Sequence, residues 1–275
     1  MAGIAGVLAK KTQVRNVGNK DVRMLYRIKM WRDLLFTAGC MISFDVLAGT
    51  MGNANQVFHY LKQGHFELEA GGYWGIAGKQ QHINIEGLVG NTYTVNSSNT
   101  GNGLVGAGYF IDGKSYSRFK LSYGLNWFYL AKTRVSGDVI QEDLFTNLSY
   151  RYSITHYPLY VMAQSLFDLN STRYGLIVDI GIGPNFMKAN GFQEYSLNGI
   201  SQPDAPFPGH TTTTFSVTAG AGIKLNHGID SIPPLTCGYR FFYLGQGQFN
   251  NNSGQLNSFK TGETYANALL CSVSI

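Results

Sequence analysis

Charged side chains that alternate with small ones are the residues of this sequence whose spacing suits chemistry. Eight of them fall in segments with a period of two: Glu67, Glu69, Lys120, Arg151, Arg173, Asp179, Lys224 and Arg240. On one inward face they would form either a salt-bridged plug or, in a narrow passage, a constriction that prefers anions. Because an unpaired charge there costs several kcal/mol, we expect most of them to be paired.

The other motifs are weak signals for catalysis or cofactor binding. Asp204 and His210 share one long segment, but at this spacing we expect both side chains to be solvated rather than to do acid–base work. The six histidines lack metal-ligand spacing, so no zinc site is predicted. Residues 101–106 spell G-x-G-x-x-G, but a strand pattern follows where a dinucleotide site needs a helix. The sequence therefore predicts no catalytic residue, no metal and no cofactor.

Strands are the elements that would position the charges. In residues 119–130 and again in 214–225, large apolar side chains alternate with small or polar ones. Side chains alternate across a strand, so each segment has one apolar and one polar face. The pattern predicts ten strands, near residues 64–76, 82–95, 103–112, 119–130, 143–153, 157–167, 173–187, 212–226, 234–246 and 262–275.

Composition indicates which face points outward. Charged residues make up 13% of the chain, against ~25% in a typical soluble domain, and aromatic residues reach 13%. The polar face holds mainly Gly, Ser, Thr and Asn, so the apolar face is expected to meet lipid. A closed barrel satisfies every backbone hydrogen-bonding group in that setting. The sequence thus predicts an all-β, antiparallel, up-and-down transmembrane β-barrel of about ten strands, with eight or twelve as alternatives. A soluble exported β-sandwich is the rival fold.

The positive charge is confined to the start of the chain. Eight of the 21 Lys and Arg but three of the 16 Asp and Glu lie in residues 1–48, which leaves 13 of each in the remainder. A nucleic-acid-binding domain should carry its basic patch on the folded body, so this partner class is excluded. No run of about 18 uncharged apolar residues occurs outside the leader, which excludes a helical membrane bundle.

Residues 24–48 have the pattern of a cleavable signal peptide. Basic residues precede an apolar stretch, and small residues follow that suit cleavage between Ala48 and Gly49. The alternative to a signal peptide is a buried N-terminal helix. We interpret residues 1–23 as an extension from a mis-assigned start. The barrel then occupies 49–275.

Loop lengths agree with this arrangement. With the first strand pointing outward, the long segments 188–211 and 247–261 lie on the outer side and the short 227–233 on the inner side. Segment 188–211 carries the aromatic residues Phe192, Tyr195 and Phe207. They would form a recognition surface or fold down to close the barrel mouth.

Two cysteines, Cys237 and Cys271, remain after removal of the leader. They lie on neighbouring predicted strands, and export would permit a disulfide between them. Two separate apolar side chains facing lipid are the preferred interpretation.

The chain resembles a known family at its cleavage region (Ala48-Gly49-Thr50-Met51-Gly52), its alternating segments and its closing segment 265–275. These are similar to Gram-negative outer-membrane β-barrel proteins of the opacity/OmpA-like type. The family's last strand usually ends in an aromatic residue, whereas this chain ends in Ile275. The resemblance implies an outer-membrane location among lipid and lipopolysaccharide, with assembly machinery recognising the C-terminal strand.

Three functions are compatible with these patterns. The first is a non-enzymatic barrel with a largely filled lumen, whose outer loops contact a host or envelope partner or support envelope integrity. The second is a narrow porin for small polar or anionic solutes, in which the inward charges set selectivity. The third is an outer-membrane hydrolase, which would need a His–Ser or Asp–His pair on one wall.

Overall fold

The computed structural model describes residues 64–97, 99–169, 171, 173–226, 233–252 and 254–275. The predicted leader at 1–48, with its cleavage between Ala48 and Gly49, lies outside the described residues. Among those that are described, no helix is both long and apolar enough to cross a bilayer.

One antiparallel sheet contains all the strands of the described chain. They are β1 (Gly64–Ile76), β2 (Gln81–Ile83), β3 (Asn91–Tyr93), β4 (Asn99–Ser115), β5 (Phe119–Gln141), β6 (Phe145–Asp168), β7 (Tyr174–Ser196), β8 (His210–Leu225), β9 (Leu235–Gln248) and β10 (Lys260–Ser274). The eight long strands pair in chain order from β4 to β10, and β1 pairs with both β10 and β4, which closes the ring. The predicted up-and-down barrel is therefore present, but the described strands form a ring of eight rather than ten.

Three of the predicted strands account for this difference of two. Segment 82–95 forms the β2–β3 hairpin, which stays out of the ring: β3 pairs with the far end of β5, and Ile85 forms a bridge with Gln255 of the β9–β10 loop. The predicted strands 143–153 and 157–167 are a single strand, β6, that runs through Pro158. The β5–β6 ladder skips the residues opposite this proline, which has no N–H to donate, while Pro158 keeps its place beside Asn185 of β7.

An apolar belt surrounds the part of the ring nearest the start of β1 and the end of β10, here called its lower part. Every long strand contributes exposed apolar side chains to it, among them Phe66, Leu68, Trp74, Val105, Tyr123, Val161, Ile180, Ile182, Phe215, Ile223, Tyr239 and Leu269. On β7 the outward apolar row extends from Tyr174 to Phe186, which is 13 residues, close to the ~9–11 needed for a tilted strand to cross a bilayer. The belt has the height and the composition of a membrane-facing surface.

The strands continue beyond the belt with a polar outer face. On β5 the outward row changes from Tyr129 to Lys132 and Arg134 after an irregularity in pairing between Leu130 and Thr133. On β7 it changes to Lys188 after Phe186. The upper parts of β5, β6 and β7 thus suit water rather than lipid.

The connections divide between the two ends of the barrel. The end where β1 begins and β10 finishes, here called the terminal end, carries the β4–β5, β6–β7 and β8–β9 connections. The opposite end, here called the loop end, carries residues 77–98, 142–144, 197–209 and 249–259. The ends of β8 and β9 that flank the predicted connection 227–233 lie at the opposite end of the barrel from the two long loops, and residues 227–232 themselves lie outside the described residues. Part of segment 188–211 belongs to β7, which continues to Ser196.

Cys237 and Cys271 form a disulfide, contrary to the preferred interpretation of two separate side chains. The two residues are direct register partners on β9 and β10, with their Cα atoms 4.1 Å apart. They line a shallow groove on the outer wall beside Tyr239 and Leu269. The bond therefore joins two strands on the surface that the belt covers.

Replacing both cysteines by serine should leave the ring closed and lower its free energy of unfolding. The bond closes a loop with a sequence separation of 34, for which the chain-entropy model gives about 3–4 kcal/mol. The β9–β10 hydrogen bonds remain in the variant, so the folded protein should keep its heat-dependent gel mobility. Urea titration measures the loss, and mass spectrometry after maleimide treatment without reductant should find Cys237 and Cys271 unlabelled in the wild type, because neither carries a free thiol. Labelling of Cys237 and Cys271 under those conditions would contradict the assignment.

Candidate functional site in the barrel interior

The inward side chains form three layers, and the layer nearest the terminal end is charged. At its centre Arg240, on β9, lies with Nη1 2.8 Å from Asp179 Oδ1 and Nη2 3.1 Å from Asp179 Oδ2. Glu69 Oε2 lies 3.8 Å from Nη2 of the same guanidinium. All three side chains are buried, and the guanidinium lies 5.2 Å above the ring of Phe128. One arginine thus forms ion pairs with two carboxylates and a cation–π contact with one aromatic ring.

Polar side chains surround this centre. Asn126 donates to Glu69 Oε1, and Gln164 Nε2 donates to Glu67 Oε1 over 3.4 Å. Closer to the terminal end, Lys120 pairs with Asp112. Lys120, Lys224, Glu67 and Asp112 line a cavity of about 190 Å³. Six of the eight predicted charges therefore meet in this layer, with Arg240 ion-paired to Glu69 and Asp179.

Two predicted members of the network lie elsewhere. Arg151 occupies an outward position of β6, because the even-numbered residues of that strand face inward, and its guanidinium lies 4.8 Å from the Tyr195 ring. Arg173 is exposed in the β6–β7 connection. Sequence reasoning instead missed Asp112, Gln164 and His65. His65 precedes Glu67 by two positions on the inward row of β1, so its face was readable from the sequence.

An apolar layer fills the middle of the lumen. The rings of Phe128, Tyr160 and Phe242 meet with centroids 5.2–6.2 Å apart, and each side chain is fully buried. Tyr160 shares a 2.5 Å hydrogen bond with Ser216, so its phenol is satisfied inside the layer. A Cβ on Gly106 would approach Phe128 Cδ1 to 2.7 Å, which explains why a glycine stands there. The residues after the G-x-G-x-x-G segment are a strand, as the sequence predicts, and β4 begins before the motif, so its glycines lie within the strand too.

An aromatic cap closes the lumen at the loop end. It is a buried cluster of side chains from β3, the upper parts of β6 and β7, and the loops: Tyr93, Tyr150, Tyr152, Phe192, Phe207, Phe249 and Phe259. Phe192 and Phe207 point into the cap, while Tyr195 points outward. Of the two possibilities for segment 188–211, folding down over the mouth is the one observed for these two phenylalanines.

Burial strongly affects the cap's polar groups. The Tyr93 phenol donates a hydrogen bond to Glu194 Oε1 over 3.1 Å. The pKa of Tyr93 is raised well above its usual value, mainly by burial and to a smaller extent by the negative charge of the Glu194 carboxylate. Glu194 Oε2 accepts from the backbone N–H of Asp204 over 3.3 Å. The phenol is therefore a neutral hydrogen-bond donor at physiological pH.

The weaker catalytic candidates do not come together. Asp204 lies in the β7–β8 loop, where its Oδ1 accepts from the N–H of Ala205, and His210 begins β8. Across the part of the chain that the structure describes, no hydrogen bond or ion pair joins Asp204 to His210. Within the same residues, no three His, Cys, Asp or Glu side chains are placed to hold a metal ion.

Several solved structures are similar to this chain. Neisserial surface protein A is 11% identical, over 76% of this chain and 96% of its own, with a TM-score of 0.39. Outer membrane protein OprG from Pseudomonas aeruginosa is 13% identical, over 77% and 96%, with a TM-score of 0.43. The outer membrane protease OmpT from Escherichia coli is 6% identical, over 78% and 97%, with a TM-score of 0.42. The sequence matches no protein-family model and no curated protein.

By their names, these three neighbours are a surface protein, an outer membrane protein and an outer membrane protease. One of them is a protease and another a surface protein, so the likeness assigns no activity.

Proposed function

We propose that this chain is an outer-membrane β-barrel without a through-pore, which acts at its loop end in surface interaction or envelope integrity. The observation that carries the proposal is the apolar middle layer of Phe128, Tyr160 and Phe242. A conducting pore needs a continuous column of water, and a constriction of packed aromatic rings excludes it. The aromatic cap adds a second barrier above the first.

The difference between the two ends of the barrel supports a role for the loop end. The apolar belt suits lipid around the part of the ring nearest the terminal end, and the polar walls beyond it suit water or lipopolysaccharide sugars at the loop end. β10 closes the ring against β1 from Tyr265 to Ser274, so the C-terminal strand is the segment that barrel-assembly machinery would engage. Host or envelope partners would then meet the outer loops.

The charge layer has a structural role in this proposal. A selectivity element of a narrow porin would face a water-filled passage, whereas Arg240, Glu69 and Asp179 are each at least nine-tenths buried. Their ion pairs fill a narrow lumen, as in a ring of few strands. No enzymatic role is proposed; among the described residues, Asp204 and His210 are not joined by a hydrogen bond or ion pair.

Planar-bilayer recordings test the absence of a pore. We expect the purified protein, whose gel mobility changes on heating, to give no discrete conductance steps in about 1 M KCl. Replacing Phe128 and Phe242 by alanine removes only the middle barrier, so we expect steps or noise in the same assay when Phe259 of the cap is replaced by alanine as well. Leucine at the same three positions should stay silent. Stable, uniform steps from the wild type would overturn the proposal and favour the narrow porin.

A further inference from the structure

A pocket of about 250 Å³ opens at the loop end, above the buried cap. Its walls come from the β2–β3 hairpin, the β7–β8 loop and the β9–β10 loop: Ile85, Asn91, Gln202, Asp204, Pro206, Asn252 and Gln255 are among them. Its floor consists of the buried side chains of Ile83, Tyr93 and Leu148. The pocket is separate from the charge layer, which lies toward the other end of the barrel.

Hydrogen bonds between the loops hold the pocket in shape. The N–H of Leu256 donates to the Asn84 carbonyl, and the N–H of Glu86 donates to the Gly254 carbonyl, each over 2.9 Å. The side chain of Asn257 joins the same two segments, since its Oδ1 accepts from Asn84 N over 2.7 Å. On the opposite wall, Asp204 and Glu194 exchange two hydrogen bonds of 3.3 Å. A ligand would therefore meet walls that are already ordered, which lowers the entropic cost of binding.

The polar groups of the pocket are amides and carboxylates. Amides come from Asn91, Gln141, Gln202, Asn252 and Gln255, carboxylates from Glu194 and Asp204. Within the described residues, the side-chain amides of Gln141, Gln202 and Asn252 have no hydrogen-bond partner. No Lys, Arg or His lines the cavity, so a sulfate, phosphate or carboxylate would meet like charge without a counter-charge.

Sugar hydroxyls fit this set of groups. Each hydroxyl both donates and accepts, and a side-chain amide offers two N–H donors and an acceptor oxygen, while a carboxylate accepts from neighbouring hydroxyls. The apolar floor suits the C–H face of a ring. The volume lies just below the ~300–1,000 Å³ of sites for larger ligands, so it suits one or two sugar units.

From this geometry we infer that the pocket binds the terminal unit of a neutral or amino-substituted glycan. The inference deepens the proposed function by naming the chemical class of partner at the loop end, and it rests on that function. Asn252 and Gln202 contribute the amides that hydrogen-bond the sugar, and Asp204 favours an amino group over an acidic one.

A glycan array carrying neutral, amino, sialylated and sulfated glycans tests the inference on the whole protein in lipid nanodiscs. We expect binding to neutral or amino-sugar termini, weakened at least tenfold in the variants Gln202→Ala and Asn252→Ala. Asn251→Ala is the matched control, because this exposed amide is adjacent in the chain but does not line the pocket, and it should bind as the wild type does.

Three results would overturn the inference: no binding on the array, binding restricted to sialylated or sulfated glycans, or unchanged binding by the Gln202 and Asn252 variants. Heat-dependent gel mobility of each variant shows that the barrel is folded. Conductance of the same preparations tests the proposed function separately, so a silent barrel that binds no glycan would reject the pocket alone.

Discussion

Replacing Arg240 by methionine should lower the free energy of unfolding by about 3–5 kcal/mol, or prevent the barrel from forming. The guanidinium is the group that neutralises Asp179 and Glu69, and all three lie inside the lumen. Without it, two buried carboxylates face each other with no ion-pair partner, and their desolvation is uncompensated. Urea titration in lipid vesicles measures the loss, and the fraction with folded gel mobility shows whether assembly fails.

A compensating variant distinguishes lost pairing from lost packing. With Glu69→Gln and Asp179→Asn added to Arg240→Met, the layer becomes neutral and should recover to within about 1 kcal/mol of the wild type. Arg151→Met is the matched control, since this arginine stands on the outer wall over Tyr195 and should cost under about 1 kcal/mol. A single Arg240→Met variant as stable as the wild type would show that the arginine is not the counter-charge of the layer.

Replacing Phe259 by alanine should loosen the loop end while the lower ring stays closed. The ring of Phe259 contacts six other aromatic rings, with centroids 5.0–5.8 Å apart: Tyr93, Tyr150, Tyr152, Phe192, Phe207 and Phe249. Removing a buried phenylalanine costs about 3–5 kcal/mol through lost contacts and the cavity left behind. Because the cap holds loops 197–209 and 249–259, we expect protease added to the outside of proteoliposomes to cut them at least tenfold faster.

Leu256→Ala provides the control for this variant. Leu256 belongs to the same loop, but 66% of it is exposed, so its truncation should leave the cleavage rate unchanged. Folded gel mobility should persist in both variants, because the charge layer and the apolar belt lie below the cap. If Phe259→Ala resisted protease as the wild type does, the aromatic cluster would not be what closes the barrel.

The sequence predicted the barrel, and which side chains point inward, because apolar and polar residues alternate wherever one face of a strand meets lipid. The alternation in 119–130 and 214–225 matches the observed burial, with Ser122, Asn126, Ser216 and Thr218 inside. It failed where the chain leaves the belt. Past Leu130 an irregularity in pairing reverses the faces of β5 and the outer side chains become polar, so 131–142 read as a connection although it continues the strand to Gln141.

The candidate site was predicted only in part, for a related reason. Strand position identifies a charge as inward, as it did for Glu67, Glu69 and Arg240, but pairing depends on the register between strands distant in sequence. Arg151 was misplaced because its strand's inward row is the even one, which a boundary set at residue 153 obscured. The loop-end pocket unites three connections, and local pattern carries no information about which loops meet.

The length of the polar upper walls sets how far the loop end lies from the apolar belt. From Lys132 to Gln141, ten residues of β5 lie above the belt, which at ~3.3 Å per residue and a tilt of ~40° amounts to about 25 Å along the barrel axis. The loop end then stands clear of the headgroup region of a bilayer centred on the belt. The β5–β6 hairpin acts as a spacer: losing residues in pairs would preserve which side chains face inward and lower the tip, so the exposed height can vary independently of the membrane anchor.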